Sequence, residues 1–294
     1  MNRPVLSWLL LASLAFIWGS SYILMKLGME DAEGNLFFSP NQVGSLRVII
    51  AGLVISPVLI KRYKLLFTKD VIWLLCVGLL GNLIPALLFT NAEKHLSTSY
   101  TGTLNSLVPI FSFLVAVFVF KRKVSKLGIT GVFIGFIGAI CLIMFKDGDF
   151  SSYSIGAILM VVLATICYAF SLNIIRERLH HLNSITITGL SLFLVIPGGI
   201  ILYLLEPNPE AVFTKSYLPA LYYIIILAII GTTIALILFN YLIKISSAIF
   251  ASSVTYLIPF VAIGWGWIMN EKLSWSMLFI FLVISGIYLT RKEK

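Results

Sequence analysis

The stretch Gly81–Pro109 occurs twice in this chain: advanced by 150 positions, it lies over Gly231–Pro259 without a gap. Gly81 meets Gly231, Lys94 meets Lys244, Ser97 meets Ser247 and Pro109 meets Pro259, with Ile84 on Ile234 and Leu88-Phe89 on Leu238-Phe239 between them. Leu and Ile coincide in any two apolar segments, so the Gly, Lys, Ser and Pro pairs carry the match. The same shift takes Trp18 onto Tyr168, Ser21 onto Ser171 and Lys26 onto Arg176. An internal repeat governs the organisation of the whole fold and is settled first. Here it divides the chain into two halves, 1–150 and 151–294.

Lipid is the solvent that such halves require. Hydrophobic residues make up 60% of the 294 and charged ones 11%, against about 25% charge in an ordinary soluble domain. The net charge of +9 does not mark a nucleic-acid surface, because the basic residues sit in short connectors between apolar runs and form no single patch. Cys76, Cys141 and Cys167 fall inside apolar runs at spacings that suit neither zinc nor a redox pair. They read as small buried hydrophobes. The first apolar run, Val5–Leu27, is longer than the core of a secretory signal and has a counterpart inside the chain, so it reads as a helix of the mature protein.

A run of about 20 mostly apolar residues spans a bilayer as a helix. Ten runs qualify: Val5–Leu27, Gln42–Ile60, Val71–Phe89, Ser99–Phe120, Leu127–Phe145, Ser154–Ile175, Ser184–Leu205, Leu218–Tyr241, Ser247–Met269 and Ser274–Thr290. Their continuity excludes the short alternating strands of a membrane barrel. Lys and Arg set the orientation. With the N-terminus in the cytoplasm, inner connectors carry fifteen of them, including the clusters Lys61, Arg62, Lys64, Lys69 and Lys121, Arg122, Lys123, Lys126. Outer connectors carry four: Lys94, Lys146, Lys215 and Lys272. Both termini are therefore expected inside. Five helices per half is an odd number, so the second half must enter the membrane from the opposite face. Connector 90–98 is expected outside and connector 240–246 inside. This is the inverted-repeat plan of secondary transporters, in which substrate binds near the midplane between the halves and one half rocks against the other.

An ordered set of motifs runs along this frame. Trp18-Gly19-Ser20-Ser21 leads to Lys26-Leu27-Gly28, and Ser45-Leu46-Arg47 opens the second helix. Ala92, Lys94, Ser97 and Pro109 follow, then Lys244 to Ala248, Pro259 and Asn270-Glu271-Lys272-Leu273. The set resembles the EamA branch of the drug/metabolite transporter superfamily, over nearly the whole chain. The resemblance implies ten helices in two EamA repeats, with helices 1–4 and 6–9 around a central cavity and helices 5 and 10 peripheral. It implies transport of amino acids or related metabolites. Glu271 matches the family's acidic residue after the ninth helix, while the first repeat has Lys121 there, so Glu271 receives no transport role.

Pro109 and Pro259 lie near the middle of their runs. Proline donates no backbone hydrogen bond and clashes with the carbonyl four residues back, here those of Asn105 and Thr255. Kinks there free an acceptor, which in lipid needs a protein partner or a wet cavity. Arg47, about five residues inside its run, either snorkels outward or faces the cavity to hold a substrate carboxylate or an internal polar group. Lys26 sits nearer its helix end and reads as a snorkelling residue. Trp18 and Tyr168, repeat counterparts in mid-helix, and Tyr256, beside Pro259, are the aromatics chosen for a cavity wall; Tyr100 joins them. Asn82, Asn105, Asn240, Thr255, Thr232 and Thr233 supply polar groups at similar depth, each with interhelical hydrogen bonding as its plainer role. Gly131, Gly135 and Gly138 form a small-residue seam for helix packing.

No Asp or Glu lies deep within the ten runs, so no proton-coupling group is visible. No phosphate-loop, zinc-protease or serine-hydrolase motif is present, so the chain reads as no enzyme and takes no cofactor and no metal. The expectation is an all-α integral membrane protein, a monomer of the cytoplasmic membrane whose partners are lipid and a small-molecule substrate, not nucleic acid. Its expected function is export of small amphipathic metabolites. The alternatives are a carrier of lipid-linked or nucleotide-sugar substrates and, from another class, an intramembrane enzyme, for which no catalytic constellation is present.

Overall fold

Within a bilayer, main-chain N–H and C=O groups must find partners inside their own segment, which leaves the helix as the form for long apolar runs. The structure, a computed structural model, describes residues 3–30, 36–96, 101–102, 104–123, 125–144, 154–268 and 278–291. Among these, regular structure is helical, apart from one isolated bridge between Glu30 and Leu36. The first half contains α1 (Arg3–Met29), then α2 (Pro40–Ile55) with its bent continuation α3 (Pro57–Arg62) and a 3-10 turn at Tyr63–Phe67. Next come α4 (Asp70–Gly78) and α5 (Ile84–Glu93), joined by the π-helical turn Leu79–Leu83. A 3-10 turn at Asn105–Leu107 leads into α6 (Val108–Leu114) and a second π turn, Val115–Val119; α7 (Lys126–Met144) follows.

In the second half, α8 (Ile155–Arg178) and α9 (Ser184–Leu204) precede α10 (Leu218–Ala228) and α11 (Ala235–Ile245), which are joined by the π turn Ile229–Ile234. Then come α12 (Ala248–Ser252), α13 (Val254–Ile268) and α14 (Ile280–Arg291). Five of these segments are long and apolar enough to cross a membrane: α1, α4–α5, α8, α9 and α10–α11. The pair α2–α3, bent by 54° at Ser56-Pro57, makes a sixth. The other four predicted runs, Ser99–Phe120, Leu127–Phe145, Ser247–Met269 and Ser274–Thr290, appear as shorter or partly described helices.

Packing follows the repeat. α1 packs on α10, α11 and α13, while α8 packs on α4, α5 and α6. The shift by 150 converts one set of contacts into the other. α2 packs on α9 and α7 on α14, each element against its own counterpart. Small residues permit these approaches, since helices in lipid gain from close packing rather than from hydrophobic burial. A Cβ on Gly231 would stand 2.7 Å from Ser21 Oγ, and one on the counterpart Gly81 would collide with Ser171 Oγ, the counterpart of Ser21. The glycine seam of α7 is used within the chain: Gly135 meets the backbone of Gly286, and Gly138 meets Val283 on α14.

Neither proline makes a simple kink, and only Pro109 stands at an interruption. Pro109 opens α6 directly after the 3-10 turn, and the Val108 N–H takes the Asn105 carbonyl. Pro259 lies inside α13, and the break falls earlier, at Ser253, between α12 and α13. One boundary needs correction. The run read as Val71–Phe89 continues as helix to Glu93, so this carboxylate belongs to a spanning segment and not to the 90–98 connector.

Candidate functional site

A cavity of about 1050 Å³, counting its opening, lies between the two halves. α1, α2, α4–α5, α8, α9 and α10–α11 all contribute, as do the two interrupted helices. Of the predicted site residues, Trp18, Arg47, Asn82, Asn105, Tyr168, Asn240 and Thr255 line it together. Tyr100 lies outside the described residues, as does Glu271.

The π turns shape the cavity walls. A π turn carries one extra residue and loosens the local hydrogen-bond ladder, and such turns concentrate at functional sites. Leu79–Leu83 and Ile229–Ile234 occupy corresponding positions in the two halves. In each, a polar side chain reaches the carbonyl five residues back: Asn82 Nδ2 donates to Val77 O at 3.3 Å, and its counterpart Thr232 Oγ1 donates to Leu227 O at 3.2 Å. Thr233 Oγ1 does the same to Ala228 O at 3.1 Å. The second turn also receives groups from the first half. Trp18 Nε1 donates to Gly231 O at 3.1 Å, and Arg47 Nε donates to Thr232 Oγ1 at 2.7 Å.

Arg47 therefore faces the cavity and does not snorkel outward. Its Nη1 approaches only Met25 Sδ, at 3.8 Å, which leaves much of the guanidinium fork free for an anion. Lys26 is different: it is largely exposed and pairs with Glu30 one turn on, at 3.5 Å. The aromatic wall has two groups of rings. Trp18 meets Phe239 edge-on at 4.8 Å, Tyr168 stacks on Phe89 at 5.9 Å, and Tyr22 meets Phe89 edge-on at 6.3 Å. Asn105 Nδ2 donates to the Tyr22 hydroxyl at 3.3 Å, and Asn240 Nδ2 donates to Thr188 Oγ1 at 2.8 Å. The Oδ1 atoms of both asparagines are buried without a donor, so each offers a free acceptor.

Tyr256 is not at the cavity. Its hydroxyl donates to Val132 O on α7 at 2.8 Å, and its ring packs on Gly135. The adjacent Thr255 does line the cavity. In α13, Thr255 faces the cavity, while Tyr256, about 100° further round the helix, faces α7. Several lining residues are not among those that the sequence singles out for the site: Tyr22, Met25, Phe89 and Phe239, together with Ser21 and Ser171. The last pair had been matched by the repeat, and two small polar residues in register at mid-membrane were the available signal.

The EamA-like transporter family profile matches residues 6–144 and again residues 155–291. The uncharacterized inner membrane transporter YedA of Escherichia coli K12 is 27% identical, over 95% of this chain and 90% of its own length. The uncharacterized transporter YdfC of Bacillus subtilis is 23% identical, over 93% and 87%. An S-adenosylmethionine/S-adenosylhomocysteine transporter of Chlamydia muridarum is also 23% identical, over 90% of this chain and 85% of its own. A crystal structure at 15% identity superposes with a TM-score of 0.72, covering 96% of this chain and 95% of the other, and so shares the fold. Two consecutive matches that together span most of the sequence make this chain a membrane transporter of the EamA-like transporter family.

Proposed function

We propose that the protein exports small amphipathic metabolites, amino acids and related compounds, from the cytoplasm by alternating access. The observation that carries this reading is the cavity between the halves, whose walls are aromatic and whose few polar groups converge from both repeats. Arg47 would hold an anionic group, the free acceptors of Asn105 and Asn240 would take donors, and Trp18 and Tyr168 would flank the apolar part. Residues 1–150 and 151–294 would act as the two rocking bodies, in a monomer of the cytoplasmic membrane with both termini inside. One relative bears the name of a transporter of S-adenosylmethionine and S-adenosylhomocysteine, solutes that combine an amino-acid head with a larger body. That supports an amphipathic cargo.

Growth of an overproducing strain on a panel of toxic amino acids and analogues tests the reading. Resistance to some of them, abolished by Arg47→Ala at equal membrane abundance, is the expected result. Unchanged sensitivity to the whole panel would move the cargo to another class.

A further inference from the structure

Glu93 closes α5 one turn beyond Phe89, on the same helical face. Both of its carboxylate oxygens are buried, and neither accepts a hydrogen bond from the described residues. A buried carboxylate without a partner is among the costliest arrangements in a protein, and more so in a membrane. The cations to consider are Arg47 on α2, which lines the cavity together with Phe89, and Lys26 on α1. Lys26 is already paired with Glu30 and faces outward. Arg47 makes no ion pair among the described residues; its contacts are Thr232 and Met25. A cation on the cavity lining and an unpartnered acid one helical turn beyond that lining thus stand without meeting. Tyr22 lines the cavity together with Arg47 and Phe89.

A ligand of one sign cannot satisfy this arrangement. A simple acid on Arg47 would leave Glu93 unpaired, and a simple amine on Glu93 would leave Arg47 unpaired. A head group with both signs completes the two together and brings no net charge into the low-dielectric interior. We propose that Arg47 and Glu93 are the two poles of a site for a dipolar head group, and that Glu93 is the residue that selects zwitterions over simple acids. This rests on Arg47 as the anion pole of the cavity described above. Glu93 stands one turn beyond the lining residue Phe89, within reach of an ammonium whose carboxylate partner is held by Arg47. The apolar remainder then lies along Tyr22, Phe89, Tyr168 and Trp18.

Three probes with one common tail separate the poles: L-phenylalanine, 3-phenylpropionate, which lacks the ammonium, and phenethylamine, which lacks the carboxylate. Binding of each is measured by calorimetry on the full chain in lipid nanodiscs. Wild type is expected to prefer phenylalanine to both others by about tenfold or more, the usual effect of leaving one buried charge unpaired. Glu93→Gln should weaken phenylalanine by about tenfold and leave 3-phenylpropionate unchanged. Unchanged 3-phenylpropionate binding also shows that the variant is folded. Arg47→Gln should weaken both carboxylates and spare phenethylamine. Glu93→Asp should restore part of the preference. If Glu93→Gln lowers all three probes by one factor, or leaves their ratios intact, Glu93 is structural and the two-pole site is wrong, while the cavity and Arg47 stand. If wild type binds none of the three, the amino-acid reading of the cavity falls and the two-pole site falls with it.

Discussion

The hydroxyl of Ser106 donates to the main-chain carbonyl of Thr255 across 3.3 Å, joining the two interrupted helices at the acceptor that Pro259 cannot serve. The counterpart acceptor, Asn105 O, is taken within its own chain segment by the Val108 N–H of the 3-10 turn. One break is thus closed locally and the other across the halves. Ser106→Ala leaves the Thr255 carbonyl buried and unpaired, at a cost of about 1–3 kcal/mol. The expected result is a lower melting temperature in detergent. Ser285→Ala, an exposed hydroxyl bonded to its own helix at Phe281, should leave it unchanged. Equal melting of the two variants would remove the cross-half bond from the account.

Asn105→Ala removes the free acceptor at the cavity and the donor to Tyr22. Loss of a buried partner of this kind predicts transport weaker by about ten- to a hundredfold at matched membrane expression. Radiolabelled uptake into inverted vesicles is the measurement. Wild-type rates in the variant would place the substrate elsewhere.

The large features were legible because they are set by composition and periodicity. Long apolar runs, the repeat at 150 and the charge asymmetry need no three-dimensional information. The polar residues at mid-depth, Asn82, Asn105 and Asn240, stood out because lipid-facing positions rarely carry them. Direction was not legible. Tyr256 was placed in the wall, but the break at Ser253 resets the helical phase, and the ring turns to Gly135 instead. The π turns left no mark either, since an extra residue in a uniformly apolar run disturbs no pattern. Charge is the usual sign of a span's end, so the sequence places Glu93 in the 90–98 connector. The repeat had placed it over Ile243, a buried position of α11, and that was the clue to its burial.

Gly81→Ala and Gly231→Ala should both impair transport, because each new methyl meets a serine of the facing helix. Overpacking a close helix contact costs about 1–3 kcal/mol. The exchange is expected to be compensable: Ser171→Gly should rescue Gly81→Ala, and Ser21→Gly should rescue Gly231→Ala. Crossed combinations should not rescue, because the paired helices differ. Uptake measured for the four double variants decides it, and rescue by the wrong serine would contradict the exchanged packing of α1 and α8.

Orientation is open to direct labelling. Cysteines introduced at Ser97 and Ser247, in a background lacking the native three, should react with an impermeant maleimide from opposite sides of the membrane. The fifteen-to-four division of Lys and Arg and the odd helix count per half motivate this. Reaction of both from one side would end the inverted arrangement.

A clamp of hydrogen bonds ties the halves together at the end proposed to face outward. Glu206, just beyond α9, accepts from Ser39 Oγ and, at 2.8 Å, from Asn41 Nδ2 at the start of α2. Gln42 Nε2 donates to Pro207 O at 3.0 Å, and Asn91 Nδ2 on α5 donates to Asn41 Oδ1 at 2.6 Å. Ser39 also caps α2, with Gln42 returning the bond to its backbone, so the clamp is built on a fixed helix start. Alternating access requires such a contact to break in one of the two states. Hydrogen bonds to a charged group contribute about 1.5–3 kcal/mol, so removing the carboxylate should shift the closed-to-open ratio by about ten- to a hundredfold. Glu206→Ala is therefore expected to speed reaction of an impermeant thiol reagent, applied from outside, with a cysteine at the lining position Ser171. Glu206→Gln, which keeps one acceptor, should fall between. If the reaction rate is the same in all three proteins, these bonds fasten a loop and do not gate the cavity.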